Sequence, residues 1–130
     1  MTYHDTTPQN ATVVFPRTNL RVSAPVASTE AERVQGLHGR TSLGPYEGML
    51  FRFPPQPPPI WMTMTKMQIP LDIIFIGNVG KVLTIMHIAH RVAAGRVPPV
   101  LGPAVPWVLE VPFGFARRHG LVRGDIVSIS

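Results

Sequence analysis

Cysteine is absent from the 130 residues. That removes disulfide staples and thiolate metal sites at once, and with them the small secreted domain built on cross-links. Acids are scarce. Seven Asp and Glu face twelve Lys and Arg, a formal charge of +5, so the chain attracts anions in general. Aromatic residues make up only 8%. None falls inside the one tight basic group, Arg117, Arg118, His119 and Arg123. A nucleic-acid surface interleaves cations with stacking rings. Along the sequence this group lacks them, so it reads as a solvated basic rim and nucleic acid is not an expected partner. Long apolar runs are missing too: IPLDIIFIG is far too short to cross a bilayer and contains an acid. The first ten residues, MTYHDTTPQN, lack the basic start and apolar core of a secretion signal. A cytoplasmic location is therefore expected. No phosphate-binding loop, dinucleotide fingerprint, zinc spacing or G-x-S-x-G occurs. Neither a cofactor nor a metal is expected, and no catalytic set is assigned.

What is present is apolar and rich in turns. Hydrophobic residues reach 45%, with 15 Pro and 11 Gly. The Pro clusters lie between apolar runs, where they mark loops and strand ends. Residues 1–10 read as a flexible tail and 11–130 as one domain, long enough to bury a core.

Thr18–Val26 alternates Leu20, Val22 and Ala24 against Asn19, Arg21 and Ser23, the period of a half-buried strand. Thr29-Glu30-Ala31-Glu32 has the spacing of a capping box and predicts a short helix near residues 29–36, stopped by Gly36 or Gly39. GMLFRF places Met49, Phe51 and Phe53 on one face. The run Pro54–Pro59 fits neither sheet nor helix. Leu71–Ile76 is apolar on both faces except for Asp72, which predicts a central strand. Gly77–Gly80 signals a hairpin returning through Lys81–His90. Ala93–Pro106 reads as a loop, Trp107–Val111 as a strand, Phe115–His119 as one helical turn and Asp125–Ser130 as a last strand. The sum is a mainly β domain, a compact antiparallel sandwich or barrel with one short helix.

The ordered motifs Glu32-Arg33-x-x-Gly36-Leu37-x-x-Arg40, Gly48-Met49-Leu50-Phe51, Trp61-Met62, Pro70-Leu71-Asp72-x-x-Phe75-Ile76, Val108-Leu109-Glu110-Val111 and Gly120-Leu121-x-x-Gly124-Asp125 resemble the DUF192 family of bacterial and archaeal domains of unknown function. The resemblance spans roughly Leu20 to Ile129. It implies a compact β fold with a short helix and carries no reaction. The resemblance implies that many members are exported behind a leader; none is expected here from the first ten residues. The chain departs from the family pattern at His38, at Ile76-Gly77, and in Thr63–Gln68, which runs about two residues longer and lacks the usual Asn.

Asp72 is the acid that needs an explanation, because a buried acid needs a partner. It is either a structural pin or the wall of a pocket, with Arg33 or Arg40 beside it; a planar guanidinium suits Asp72, Glu110 or an anionic ligand. Trp61 is either a core plug or an aromatic platform at a pocket mouth. The functional expectation is a non-catalytic binding module for a small anion, sugar or peptide, with Trp61, Asp72, Arg40 and Arg33 as its site. One alternative is a hydrolase- or isomerase-type enzyme using Asp72 and a His, such as His87. Another is copper handling by Met62, Met64, Met67 and Met86 with His87 and His90, although Met is also ordinary core filler.

Overall fold

A computed structural model of the chain describes residues 9–54, 60–63, 69–91, 96–100 and 105–130. The strands are β1 (Asn10–Phe15), β2 (Leu20–Ala27), β3 (Met49–Arg52), β4 (Ile60–Thr63), β5 (Leu71–Val79), β6 (Val82–Arg91), β7 (Arg96–Val100), β8 (Trp107–Pro112) and β9 (Ile126–Ile129). Two short helices, α1 (Glu30–Gln35) and α2 (Phe115–Arg118), and a 3-10 turn at Pro16–Thr18 complete the description.

Seven strands close into a barrel in the order β1-β2-β3-β8-β5-β6-β9, and β4 and β7 pair apart from it. The barrel, not the sandwich, is the architecture. Closure rests on β9, which pairs with β1 through Val13–Ile129 and with β6 through Leu83–Val127. All barrel pairings are antiparallel except β2 with β3, where Val26 meets Leu50 and Ala27 meets Phe51. A parallel pair needs a crossover connection, and Ser28–Gly48, carrying α1, supplies it. β7 corrects the loop expected over Ala93–Pro106. Its Pro98 and Pro99 suit the edge of a two-stranded ribbon, where a missing N–H costs no ladder bond.

Alternation divides the buried residues into two layers. Val13, Val22, Leu50, Ile74, Ile76, Leu109 and Val127 fill the barrel, and Phe115, Ala116 and Leu121 close one end. Leu71, Ile73, Phe75, Phe51 and Val108 face outward, where Leu37, Leu43 and Val105 cover them. β5 is thus apolar on both faces because both faces are covered, as its composition predicts.

α1 forms where the capping box places it. Thr29 Oγ1 accepts from the Glu32 N–H at 3.1 Å, and the Glu32 carboxylate accepts from the Thr29 N–H at 3.0 Å. Those N–H donors from Thr29 and Ser28 hold the Glu32 carboxyl below its ordinary pKa. Gly36 ends the helix at φ +46°, against the Phe51 ring.

The β5–β6 hairpin contains a bulge. Phe75 lies opposite His87 but Ile76 opposite Ile85, so Met86 is the extra residue. The bulge resets the faces of β6. Leu83 and Ile85 before it and Ile88 after it all pack on the barrel interior. Strict alternation would have put Ile88 on the other side from Leu83 and Ile85.

Candidate functional site

Asp72 sits inside the barrel at the end closed by α2, with no exposed surface. Its Oδ1 accepts from His90 Nδ1 at 2.7 Å and its Oδ2 from the Ala116 N–H at 2.9 Å. α2 begins after Gly114, which offers no side chain to cap it. Asp72 supplies that cap from another strand. The acid in the apolar strand is therefore partnered twice, by a side chain and by a helix end.

The expected partners are elsewhere. Arg33 donates from Nη1 to the carbonyls of Ser28 (2.7 Å) and Arg52 (2.9 Å), and its guanidinium lies 5.4 Å from the Phe53 ring centroid. It ties α1 to the end of β3. Arg40 donates to the Ser42 carbonyl at 3.2 Å and lies 3.6 Å from the Glu47 carboxylate, on the surface. Neither guanidinium pairs with Asp72 or Glu110. Trp61 is on β4, paired with β7 and outside the barrel sheet; its side chain lies outside what the structure describes. The linker Thr63–Gln68 falls beyond the described residues except for Thr63. Of the four residues expected to share one site, Asp72 is a buried acid, Arg33 a helix tie and Arg40 half of a surface pair, with no hydrogen bond or ion pair between these three, and the Trp61 side chain lies outside the described residues.

The histidine beside Asp72 is His90, not His87. An unbroken hairpin register from Val79–Val82 would set Ala89 opposite Asp72; the bulge at Met86 sets His90 there. His87 instead lies over Phe75, ring centroids 5.8 Å apart, on the outer face. Partial burial lowers its pKa, and the charges of Arg91, Arg123 and His90 push it further down. The copper set is not assembled among the described residues. Met64 and Met67 lie outside them, Met86 Sδ accepts from Thr84 Oγ1 at 3.4 Å, and His87 and His90 face opposite sides.

Glu110 is a second buried acid. It is 3% exposed, on β8 between Met49 of β3 and Ile73 of β5. Burial alone raises its carboxyl from 4.5 to about 8, so at neutral pH it is mostly the uncharged acid. No hydrogen bond among the described residues reaches its carboxyl group. A third acid, Asp125, is gripped by Arg17 through Nε at 2.6 Å and Nη2 at 2.8 Å, and accepts from the Val122 N–H at 2.9 Å. Arg17 holds its carboxyl below the ordinary range, and the Val122 N–H adds to that.

Open space lies at the opposite end of the barrel. A cleft of about 780 Å³ runs between α1 and the adjoining ends of β1 and β2. Gln9, Asn10 and Gln35 line it with amides, and Val26, Ala31 and Met49 with apolar groups. No Lys, Arg or aromatic residue is among its described lining. Sequence reading missed this site because its parts lie on three separated segments, and only α1 carried a local signal.

A closed seven-stranded barrel plugged by a helical turn and flanked by a capped surface helix is the class that these features define. The chain belongs to the DUF192 family, described as uncharacterized, whose pattern matches residues 12–129. Two solved structures are similar. One is a candidate transcription regulator from Sinorhizobium meliloti 1021, 27% identical, covering 92% of this chain and 91% of that one, with a TM-score of 0.75. The other is a protein of unknown function from Novosphingobium aromaticivorans DSM 12444, 36% identical, covering 92% and 83%, with a TM-score of 0.70. No curated protein matches the chain.

Proposed function

We propose that the protein is a non-catalytic binding module that takes a short peptide segment in the cleft beside α1. The cleft carries this reading. Its volume of about 780 Å³ lies in the range of ligand sites, and its amides pair with peptide N–H and C=O groups as donor and acceptor together. The apolar floor of Val26, Ala31 and Met49 suits a small aliphatic side chain. An anion finds no cation among the described lining and a sugar no stacking ring, which favours the peptide among the three ligand classes. The test is panning of a phage-displayed random peptide library against the wild type and against Ala31→Trp, which fills the cleft from an exposed position. Peptides enriched on the wild type lose at least about tenfold in binding to Ala31→Trp, the loss of one good contact. No enrichment, or equal binding to both, rejects the reading.

The contact between Asp72 and His90 favours a second reading, acid–base catalysis. A buried carboxylate orients a histidine whose side chain is 47% exposed, the arrangement a general base requires. Hydrolysis of p-nitrophenyl acetate that disappears in His90→Gln supports it. Rates equal to buffer exclude that chemistry for this probe.

A further inference from the structure

The fold gives the basic group the aromatic neighbours that it lacks in sequence. Tyr46, from the loop before β3, stands 5.5 Å from the His119 ring, which in turn packs at 4.6 Å on Phe115 of α2. Tyr46 is 53% exposed, and Phe113 at the start of the same turn is 43% exposed. Arg117 and Arg118 lie exposed on α2. Arg123 is exposed on the next turn, docked on β6 by the Gly124 N–H to the Ile85 carbonyl at 2.8 Å. Strand direction puts all of these at one end of the barrel, since β8 runs into α2 and the 120–125 turn runs into β9.

The carboxylates do not neutralise this end. Asp72 and Glu110 are buried, and Asp125 is occupied by Arg17. The exposed acids among the described residues are Glu30 and Glu32 on α1, at the other end, and Glu47, held by Arg40 and the Gly44 N–H. The positive surroundings of His87 come from the same source, Arg91 and Arg123.

We propose that the α2 end of the barrel is a binding surface for single-stranded nucleic acid, with Arg117, Arg118 and Arg123 meeting phosphates and Tyr46 and Phe113 offering ring faces to unpaired bases. Cations track the backbone and stacking holds the bases. α2 has four residues, too few to read a duplex groove, so bases reach the rings only when unpaired. The surface is separate from the α1 cleft and does not depend on it.

The experiment is fluorescence anisotropy of the full chain with labelled oligo-dT and oligo-U of about 12 nucleotides, titrated with salt from about 50 mM. Binding weakens with salt, and the log–log slope is about −0.7 per phosphate contacted. Arg117→Ala with Arg118→Ala flattens that slope by about 1.4. Tyr46→Ala weakens binding about tenfold at unchanged slope, and Tyr46→Phe restores it. Ala31→Trp leaves binding intact. All the altered side chains are exposed, and circular dichroism verifies that each variant is folded. Absence of binding at low salt overturns the proposal. So does binding of heparin or of duplex as tight as the single strand with Tyr46→Ala neutral, which would mark a plain polyanion surface. Loss of binding in Ala31→Trp overturns it too, by moving the site to the other end.

Discussion

The carboxylate of Asp72 caps a helix that begins more than forty residues later: Oδ2 accepts the Ala116 N–H across 44 positions of chain. The same carboxylate anchors His90 through Oδ1. Removing the acid strands a buried N–H and an imidazole together. Asp72→Leu is expected to cost about 3–4 kcal/mol, the range for breaking a buried charged network. Asp72→Asn keeps one acceptor for Ala116 and should cost about half as much. Urea unfolding of the two variants measures both values. Equal, small losses would mean that the two contacts contribute little.

Glu110 makes stability depend on pH in the opposite sense to most carboxylates. Its folded pKa, about 8, lies above its ordinary 4.5. Below pH 4.5 the acid is protonated in both states and contributes nothing. As pH rises towards 8 the unfolded chain ionises while the folded one does not, so stability falls. The total is on the order of 5 kcal/mol at ~1.4 kcal/mol per pH unit. Glu110→Gln should therefore match the wild type near pH 4.5, exceed it increasingly up to about pH 8, and keep a constant lead above that. Urea midpoints across that range decide it; parallel curves would show that the carboxyl is better solvated than its position implies.

Asp125 works the other way. Arg17 depresses its pKa, so its contribution is complete above the ordinary carboxylate pKa and disappears as pH falls through the lower folded value. Asp125→Asn should lower Tm at pH 7 and converge with the wild type in strong acid. A gap that persists unchanged at the lowest pH would place the effect in packing instead.

Gly48 carries no turn, yet its hydrogen is required. A Cβ there would stand 2.5 Å from the Glu110 carbonyl oxygen and 3.1 Å from Val111 Cγ1. Gly48→Ala must push β3 from β8 and should cost about 2–3 kcal/mol, as overpacking does. Thermal unfolding reports it; a neutral substitution would mean that the strands separate easily here.

Local chemistry was legible in the sequence and register was not. The capping box from Thr29 to Glu32 spans four consecutive residues, and α1 appears where it predicts. The doubly covered β5 was equally plain, because Leu71, Ile73 and Ile74 leave no polar face. Met86 gave no sign that it would be a bulge residue, so the histidine of the Asp72 pair could not be chosen between His87 and His90. Barrel closure depends on β9 finding β1 from the far end of the chain, which no local pattern encodes. β7 hid behind Pro98 and Pro99, residues that usually argue against a strand. The α1 cleft and the meeting of Tyr46 with His119 are juxtapositions of distant segments, visible only once the barrel has formed.

The role of Asp72 as the pin that holds α2 in the mouth of the barrel is tested most directly by hydrogen exchange at the Ala116 amide. In the wild type this amide should exchange with the slow β5 core, since Phe115, Ala116 itself and the acceptor Asp72 are buried. In Asp72→Leu it should exchange at least about a hundredfold faster relative to the β5 amides, because its acceptor is gone. An Ala116 amide whose protection follows β5 equally well in both proteins would contradict the cap, and with it the structural reading of the acid.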